Sequence, residues 1–410
     1  MSTAVISAPH PLQVELVDST AGLEAIRAEW DALYASGIAG TNPFLRWSWV
    51  AHWWRSVSRR PGLPRTRLHI LAMYDRARRL RCVVPFFLGV WQIGPFAFKA
   101  LRLYGFHTTL TDLRTILVAP GWEAAAAEAL ISTLWALRRE YHVSVIDGLD
   151  QGGQLTSLLT ARLGRSARHG PELMAYVLPL PTTWDALRAS LTRNNRGSIQ
   201  QGYSALKRDR QEYRFEELTE PEDIPSAVNE MFFLHALRAA YKAGPRHHDY
   251  YASPHDRAFL RQVVGHLAAQ GLARVCRLRV GDQVVASRVV LSAGNGMYLY
   301  HAGHDPTWDR YRVGTVLTAE CIQMAIRCQA LTVHFGTGTE PSKLRWSPQR
   351  QTLEQLHIAA PTPAGEILSE LTWRLAVIAR RLRNRWPHHR WLTVGGLPAV
   401  PEVVRPGRFP

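Results

Sequence analysis

The chain has 410 residues, 46% apolar and 20% charged, with a formal net charge of +16. This composition excludes a disordered or collagenous chain, and the length calls for two or three domains rather than one core. No apolar run approaches the roughly 20 residues that span a bilayer, so a transmembrane segment is not expected.

In chain order, "MSTAVISAPH" lacks the basic and apolar regions of a signal peptide, so the expected location is the cytoplasm. "LEAIRAEWDALY" and "PFLRWSWVAHWWRSV" read as helices. From Arg67, "RLHILAMYD", the turn "RARR" and "LRCVVPFFLGVWQ" form a β-hairpin. Strand text in "ALRLYGF" and "RTILVAP" precedes the alanine-rich helix "GWEAAAAEALISTLWALRRE" and the strand "HVSVIDGL".

The second half repeats that order. "WDALRASL" and "AVNEMFFLHALRAAYKAG" are helical, and "LARVCRLRVGDQVVASRVVLS" is a hairpin turning at Gly281-Asp282. The strand "GNGMYLYHAG", the loop "HDPTWDRYRVG", a helix from Thr315 and the strand "LTVHFG" follow. The helix places Leu317, Cys321, Met324, Cys328 and Leu331 at helical spacing. The fold class is therefore α/β, with two lobes that share a pattern but not a sequence. Each is a mixed twisted sheet flanked by helices: residues 12–180, residues 181–360, then a basic amphipathic helix and irregular tail over 361–410.

The four cysteines (Cys82, Cys276, Cys321, Cys328) lack metal-ligand spacing and read as core thiols, and no metal is called for. The positive charge suits an anionic partner: nucleic acid, a phosphorylated cofactor, an acidic carrier protein or a membrane surface. A helix N-terminus after a strand favours anions through its free N–H groups and dipole. In the first lobe that position carries Glu123, which repels phosphate. In the second it reads "DRYRVGTV", where Arg310 and Arg312 add charge, Gly314 permits close approach and Thr315 is expected to cap the helix.

A hairpin, a strand, an arginine- and glycine-bearing loop, a helix and a further strand resemble the acyl-CoA-binding core of the GNAT acyltransferases. The text "YLYHAGHDPTWDRYRVGTVLTAECIQMA" with "VHFGTGTEPSKLRW" resembles the CelD-type group of that superfamily, related to the FemAB peptidyltransferases, whose chains pair two GNAT lobes. The likeness covers roughly residues 12–360 and is sharpest from Ala273 to Trp346. "NPFLRWSWVAHWWRS", "LTRNNRGSIQQGYSALKRD" and "MFFLHALRA" add to it. His334 departs from it, standing where the family commonly has aspartate, and reads as a hydrogen-bonded strand residue.

The resemblance implies N-acyl transfer from an acyl thioester (acyl-CoA or the acyl-phosphopantetheine of an acyl carrier protein) to a small or carrier-bound amine. Positioning and proton removal do most of that work. The donor would lie on Arg310, Tyr311, Arg312, Val313, Gly314 and Thr315. "GMYLYHAG" would be the strand that splays from "LTVHFG". Beyond it, Glu340 is a candidate base, Lys343 and Arg345 are candidate holders of an anionic acceptor, and His301 is a second candidate base. Tyr300 and Tyr311 are candidate donors to the leaving thiolate. Asp305, Arg193 and Arg196 are candidates for acceptor or carrier contact. The first lobe reads as non-catalytic. Two alternatives stay open: an aminoacyl-tRNA-dependent peptidyltransferase of the FemAB kind, and a non-catalytic RNA- or carrier-binding module on the same fold.

Overall fold

The computed structural model describes residues 5–6, 11–37, 42–58, 66–93, 96–105, 110–241, 249–338 and 340–385. The first lobe opens with β1 (Val5–Ile6), β2 (Gln13–Val17), α1 (Thr20–Ala25), α2 (Arg27–Ala35) and α3 (Trp47–Ser58). The long hairpin β3 (Thr66–Tyr74) and β4 (Leu80–Ile93) follows, with β5 (Phe96–Leu103) beside it and the short β6 (Leu117–Val118). Its turn is set by chemistry: the Asp75 carboxylate accepts from the N–H groups of Ala77 and Arg79, both at 2.9 Å, which holds Arg78 at φ 59°. Then come α4 (Glu123–Ala136), β7 (Val143–Asp150), α5 (Gln154–Leu163), β8 (Ala167–His169) and β9 (Leu173–Pro179).

The second lobe runs α6 (Trp184–Ser190), α7 (Arg193–Arg208), β10 (Tyr213–Leu218), α8 (Ile224–Ala240) and α9 (Pro254–Ala268). Its hairpin is β11 (Ala273–Val280) and β12 (Gln283–Ala293), turning at Gly281 with φ 55°. β13 (Gly296–His304), α10 (Val313–Arg327), β14 (Thr332–Thr337), α11 (Pro341–Leu344), β15 (Gln349–Ala359) and α12 (Pro363–Arg385) complete the chain.

The strands form one continuous mixed sheet in the order β1-β2-β3-β4-β5-β7-β15-β9-β14-β13-β12-β11-β10. Each lobe has one parallel pair, β5 with β7 and β13 with β14, and the remaining neighbours along that order are antiparallel. β15 and β9 join the halves: β9 precedes the second lobe in sequence yet pairs with β14, and β15 returns to pair with β7 and β9. One apolar core spans both lobes, built from α1–α3 with α8 and α9, and it holds buried Trp30, Trp49, Phe44, Phe259 and Tyr298. A second core lies under α6, α7 and α10, and a third under α4 and α5.

One expectation is corrected. Cys82, Cys276 and Cys321 are buried, but Cys328 is exposed, because α10 ends at Arg327 and its last apolar-face position has left the core. The C-terminal helix is present, with Leu368 packed against Phe98 and Ala100 and Ser369 and Thr372 buried, whereas Ile367, Leu371 and Ile378 are exposed. The irregular tail after Trp386 lies outside the described residues.

Candidate active site

The parallel ladder between β13 and β14 stops early. Gly296, Met297 and Tyr298 pair with Thr332, Val333 and His334, and no pair follows, although β13 continues to His304 and β14 to Thr337. The strands therefore diverge and open a gap beside β13. At the same point the β12–β13 ladder slips: Val290 faces Leu299 and Arg288 faces Ala302, so Tyr300 and His301 form a bulge. Bulges leave backbone groups unpaired and re-aim side chains. Arg288, reaching across from β12, satisfies part of this break by donating to the carbonyls of Leu299 (3.2 Å) and Tyr300 (3.4 Å) and to Thr318 Oγ1 (3.3 Å).

On one side of the gap stands the N-terminus of α10. Its cap residue is Arg312, left-handed at φ 52°, and no side chain caps the helix. Thr315 is thus not the cap; its hydroxyl instead accepts from Arg345 Nη1 at 2.8 Å. Arg312 Nη1 donates to Ser198 Oγ of α7 at 3.0 Å. Burial, with the neighbouring Arg312 charge, pushes the Arg345 guanidinium pKa down. No carboxylate pairs with either arginine among the described residues. Two like charges thus stand at an open helix end, where free N–H groups and the helix dipole favour an anion.

On the other side lies the chain leaving β14. Lys343 Nζ donates to the Thr337 carbonyl and sits 3.0 Å from Glu340 Oε2. Asp112, from the first lobe, faces them. Its carboxylate accepts from the Thr337 N–H at 3.0 Å and from the Thr337 hydroxyl. Burial raises the Asp112 pKa, opposed by Lys343 and by the Thr337 hydrogen bonds. Gly336 makes the approach possible: at φ 71° it is left-handed, and a Cβ there would lie 1.8 Å from Asp112 Oδ2. Tyr250 closes the cleft, its phenol pKa raised by burial and then by Glu340. The Tyr250 N–H donates to His235 Nε2 (3.4 Å), so His235 Nδ1 carries the proton toward the Ala302 carbonyl at 3.1 Å. Arg238, half-buried on α8, faces Asp309, Tyr250 and Glu340, and burial lowers its pKa.

The structure gathers Arg312, Val313, Gly314, Thr315 and Arg345 at the helix end, and Glu340, Lys343 and His301 at the cleft. His301 makes edge contacts with Tyr250, Tyr251 and Tyr300. Other expected residues are committed elsewhere. The Tyr300 hydroxyl donates to the Leu110 carbonyl and burial holds its pKa well up, so it offers no proton to a thiolate. Tyr311 is buried in the second core, with Arg310 stacked over its ring at 4.5 Å, so neither faces the open helix end. Asp305 caps the following turn through Thr307 N (2.9 Å) and accepts from Gln283 (3.1 Å), which removes it from acceptor binding. Arg196 donates to the carbonyls of Ala189 (2.9 Å) and Leu191 (2.7 Å) and closes the end of α6. Arg193 is the exposed first residue of α7. His334 stacks on Tyr298 at 4.2 Å, with burial lowering its pKa to about 4, and is a neutral strand residue. Sequence reasoning missed Asp112 and Tyr250, which no local pattern marks, and did not single out Arg238 although it lies within "MFFLHALRA". Arg288 did leave a signal, a lone charge inside the apolar strand text "VVASRVVLS".

This splayed strand pair beside an open helix end resembles the arrangement of a GNAT domain, and comparison with known proteins agrees on the fold. Residues 193–344 match the family described as acetyltransferase (GNAT) domain. Among solved structures the chain shares its fold with FemX, at TM-score 0.55 and 12% identity over 80% of this chain and 95% of that one. A conserved protein of unknown function from Bacteroides thetaiotaomicron VPI-5482 gives TM-score 0.52 and 14% identity over 84% and 99% of the two chains. No curated protein matches the sequence significantly. Most of the second lobe, residues 193–344, is thus similar in sequence to GNAT acetyltransferase domains, and the whole chain shares the fold of FemX. No group of side chains among the described residues has the arrangement of a metal site.

Proposed function

We propose that the protein transfers an acyl group from an acyl thioester, acyl-CoA or an acyl carrier protein, to an amine held between the lobes. The observation that carries this reading is the pair Arg312 and Arg345 at the open N-terminus of α10, with no acid partner among the described residues. A thioester's phosphate groups would supply the missing charge, and the pantetheine arm would run along the unpaired edge of β13. The amine nitrogen attacks the carbonyl carbon, the C–N bond forms and the C–S bond breaks. The proton lost from nitrogen goes to the Asp112 carboxylate, which burial makes more basic, and the thiolate departs. Glu340, Lys343, Arg238 and His301 line the acceptor end and set which amine enters.

Among the described residues the equivalent gap of the first lobe is filled. β5 and β7 also part after three pairs, but Gly148 of β7 is covered by the Arg114 carbonyl, 1.8 Å from where a Cβ would stand. A gap filled by its own chain supports a scaffolding role for that lobe.

The test is thiol release by the full-length protein from CoA thioesters of increasing chain length, with and without a panel of amines. Amine-dependent thiol release supports the reading. If only aminoacyl-tRNA acts as donor, the peptidyltransferase alternative replaces it.

A further inference from the structure

The 23-residue helix α12 is mounted the wrong way round for a helix that serves only its own core. It packs on β15 and β7 through Gly365, Ser369 (2% exposed) and Thr372 (0%), with Leu368 against buried Phe98 and Ala100 and Trp373 donating to the His169 carbonyl at 2.8 Å. Three of its large aliphatic residues point to solvent on the other side, Ile367 at 69% exposure, Ile378 at 50% and Leu371 at 37%. Spacings of four and seven residues put these three on one face, and exposed Arg374 belongs to the same face. Such a stripe normally faces a core.

The charge around the stripe is basic. The helix carries Arg374, Arg380, Arg381, Arg383 and Arg385 against Glu366 and Glu370. Glu370 is already neutralised, by Arg374 and by Arg168, each at 2.5 Å. An apolar stripe that includes Arg374, on a helix whose sequence carries four further arginines toward its C-terminal end, matches the boundary of an anionic bilayer, where aliphatic side chains enter the acyl layer and guanidinium groups meet phosphate. No helix among the described residues is long and apolar enough to cross a membrane, so attachment would be peripheral. We propose that the outer face of α12 docks the protein on an anionic lipid surface.

The experiment is co-sedimentation of the full-length protein with vesicles of phosphatidylcholine alone and of phosphatidylcholine with phosphatidylglycerol. Binding is expected to the mixed vesicles only and to weaken as salt is raised. The double variant Ile367→Ser/Ile378→Ser should weaken it about tenfold or more, with unchanged circular dichroism, since both side chains are already exposed. Arg374→Glu should weaken it about fivefold or more. Equal sedimentation of the double variant, or no sedimentation at low salt, overturns the proposal. So does a concentration-dependent dimer that the serine variant abolishes while vesicles remain unbound, which would make the face a self-interface.

Discussion

Gly148 and Gly336 lie near the C-terminal ends of β7 and β14, with φ 67° and 71°, and one short segment of the first lobe covers both. The Arg114 carbonyl lies on Gly148, and two residues earlier the Asp112 carboxylate lies on Gly336. The same segment thus fills the first lobe's gap with backbone and delivers a carboxylate to the second lobe's cleft. Two copies of one architecture receive different chemistry from a single loop.

Asp112→Asn tests the proton acceptor. The variant is expected to lower kcat about 100-fold or more, within the range of lost general-base catalysis. Wild-type activity should fall at acid pH through a pKa above the ordinary aspartate range, and the acid limb should vanish in the variant. A raised folded-state pKa makes the ionised group a liability for folding: its contribution is favourable below the unfolded pKa and lost as pH rises through the folded one. The variant's Tm at neutral pH should therefore equal or exceed that of the wild type. A rate profile that matches the wild type removes Asp112 from the chemistry.

Gly336→Ala attacks the same contact from the other side. The new Cβ meets Asp112 Oδ2 and must also occupy a left-handed backbone, which costs about 1–2 kcal/mol before any clash. Activity should drop as in Asp112→Asn, but with a lowered Tm. Separating those two readouts distinguishes displaced carboxylate from lost charge.

Acid should destabilise the fold through histidines. Burial lowers the pKa of His69, His334 and His357 to about 4 each. Each favours the folded state while neutral, and that stability is lost as pH falls from the unfolded value of about 6.5 toward the folded one. By pH 5 the loss is on the order of 1–2 kcal/mol per histidine. Melting temperature measured from pH 7 to 5 should fall steeply, and less steeply in His357→Gln. A flat profile would contradict buried neutral imidazoles.

The two hairpins, the strand–helix–strand order of each lobe and the arginine-flanked start of α10 were all legible, because local periodicity and turn chemistry carry them. The loop after β14 was half legible: Glu340 and Lys343 do face the cleft, but Arg345 serves the helix end through Thr315 rather than the acceptor. Tyr300 was misjudged because its partner, the Leu110 carbonyl, is 190 residues away, and Asp112 was missed because Thr337 is 225 away. α9 escaped although Phe259, Leu260, Val263, Val264 and Leu267 repeat at helical spacing. The inverted mounting of α12 was not legible, since the pattern marks an apolar stripe without saying which face meets the sheet.

The central claim is that an acyl thioester binds at the N-terminus of α10. Calorimetric titration of a CoA thioester into the full-length protein, and into Arg312→Glu and Arg345→Glu, tests it most directly. Each lost charge-assisted contact is worth about 1.5–3 kcal/mol, so each variant should bind about 10-fold to 100-fold more weakly, with unchanged circular dichroism. Wild-type binding that both variants retain in full would place the donor elsewhere and contradict the account.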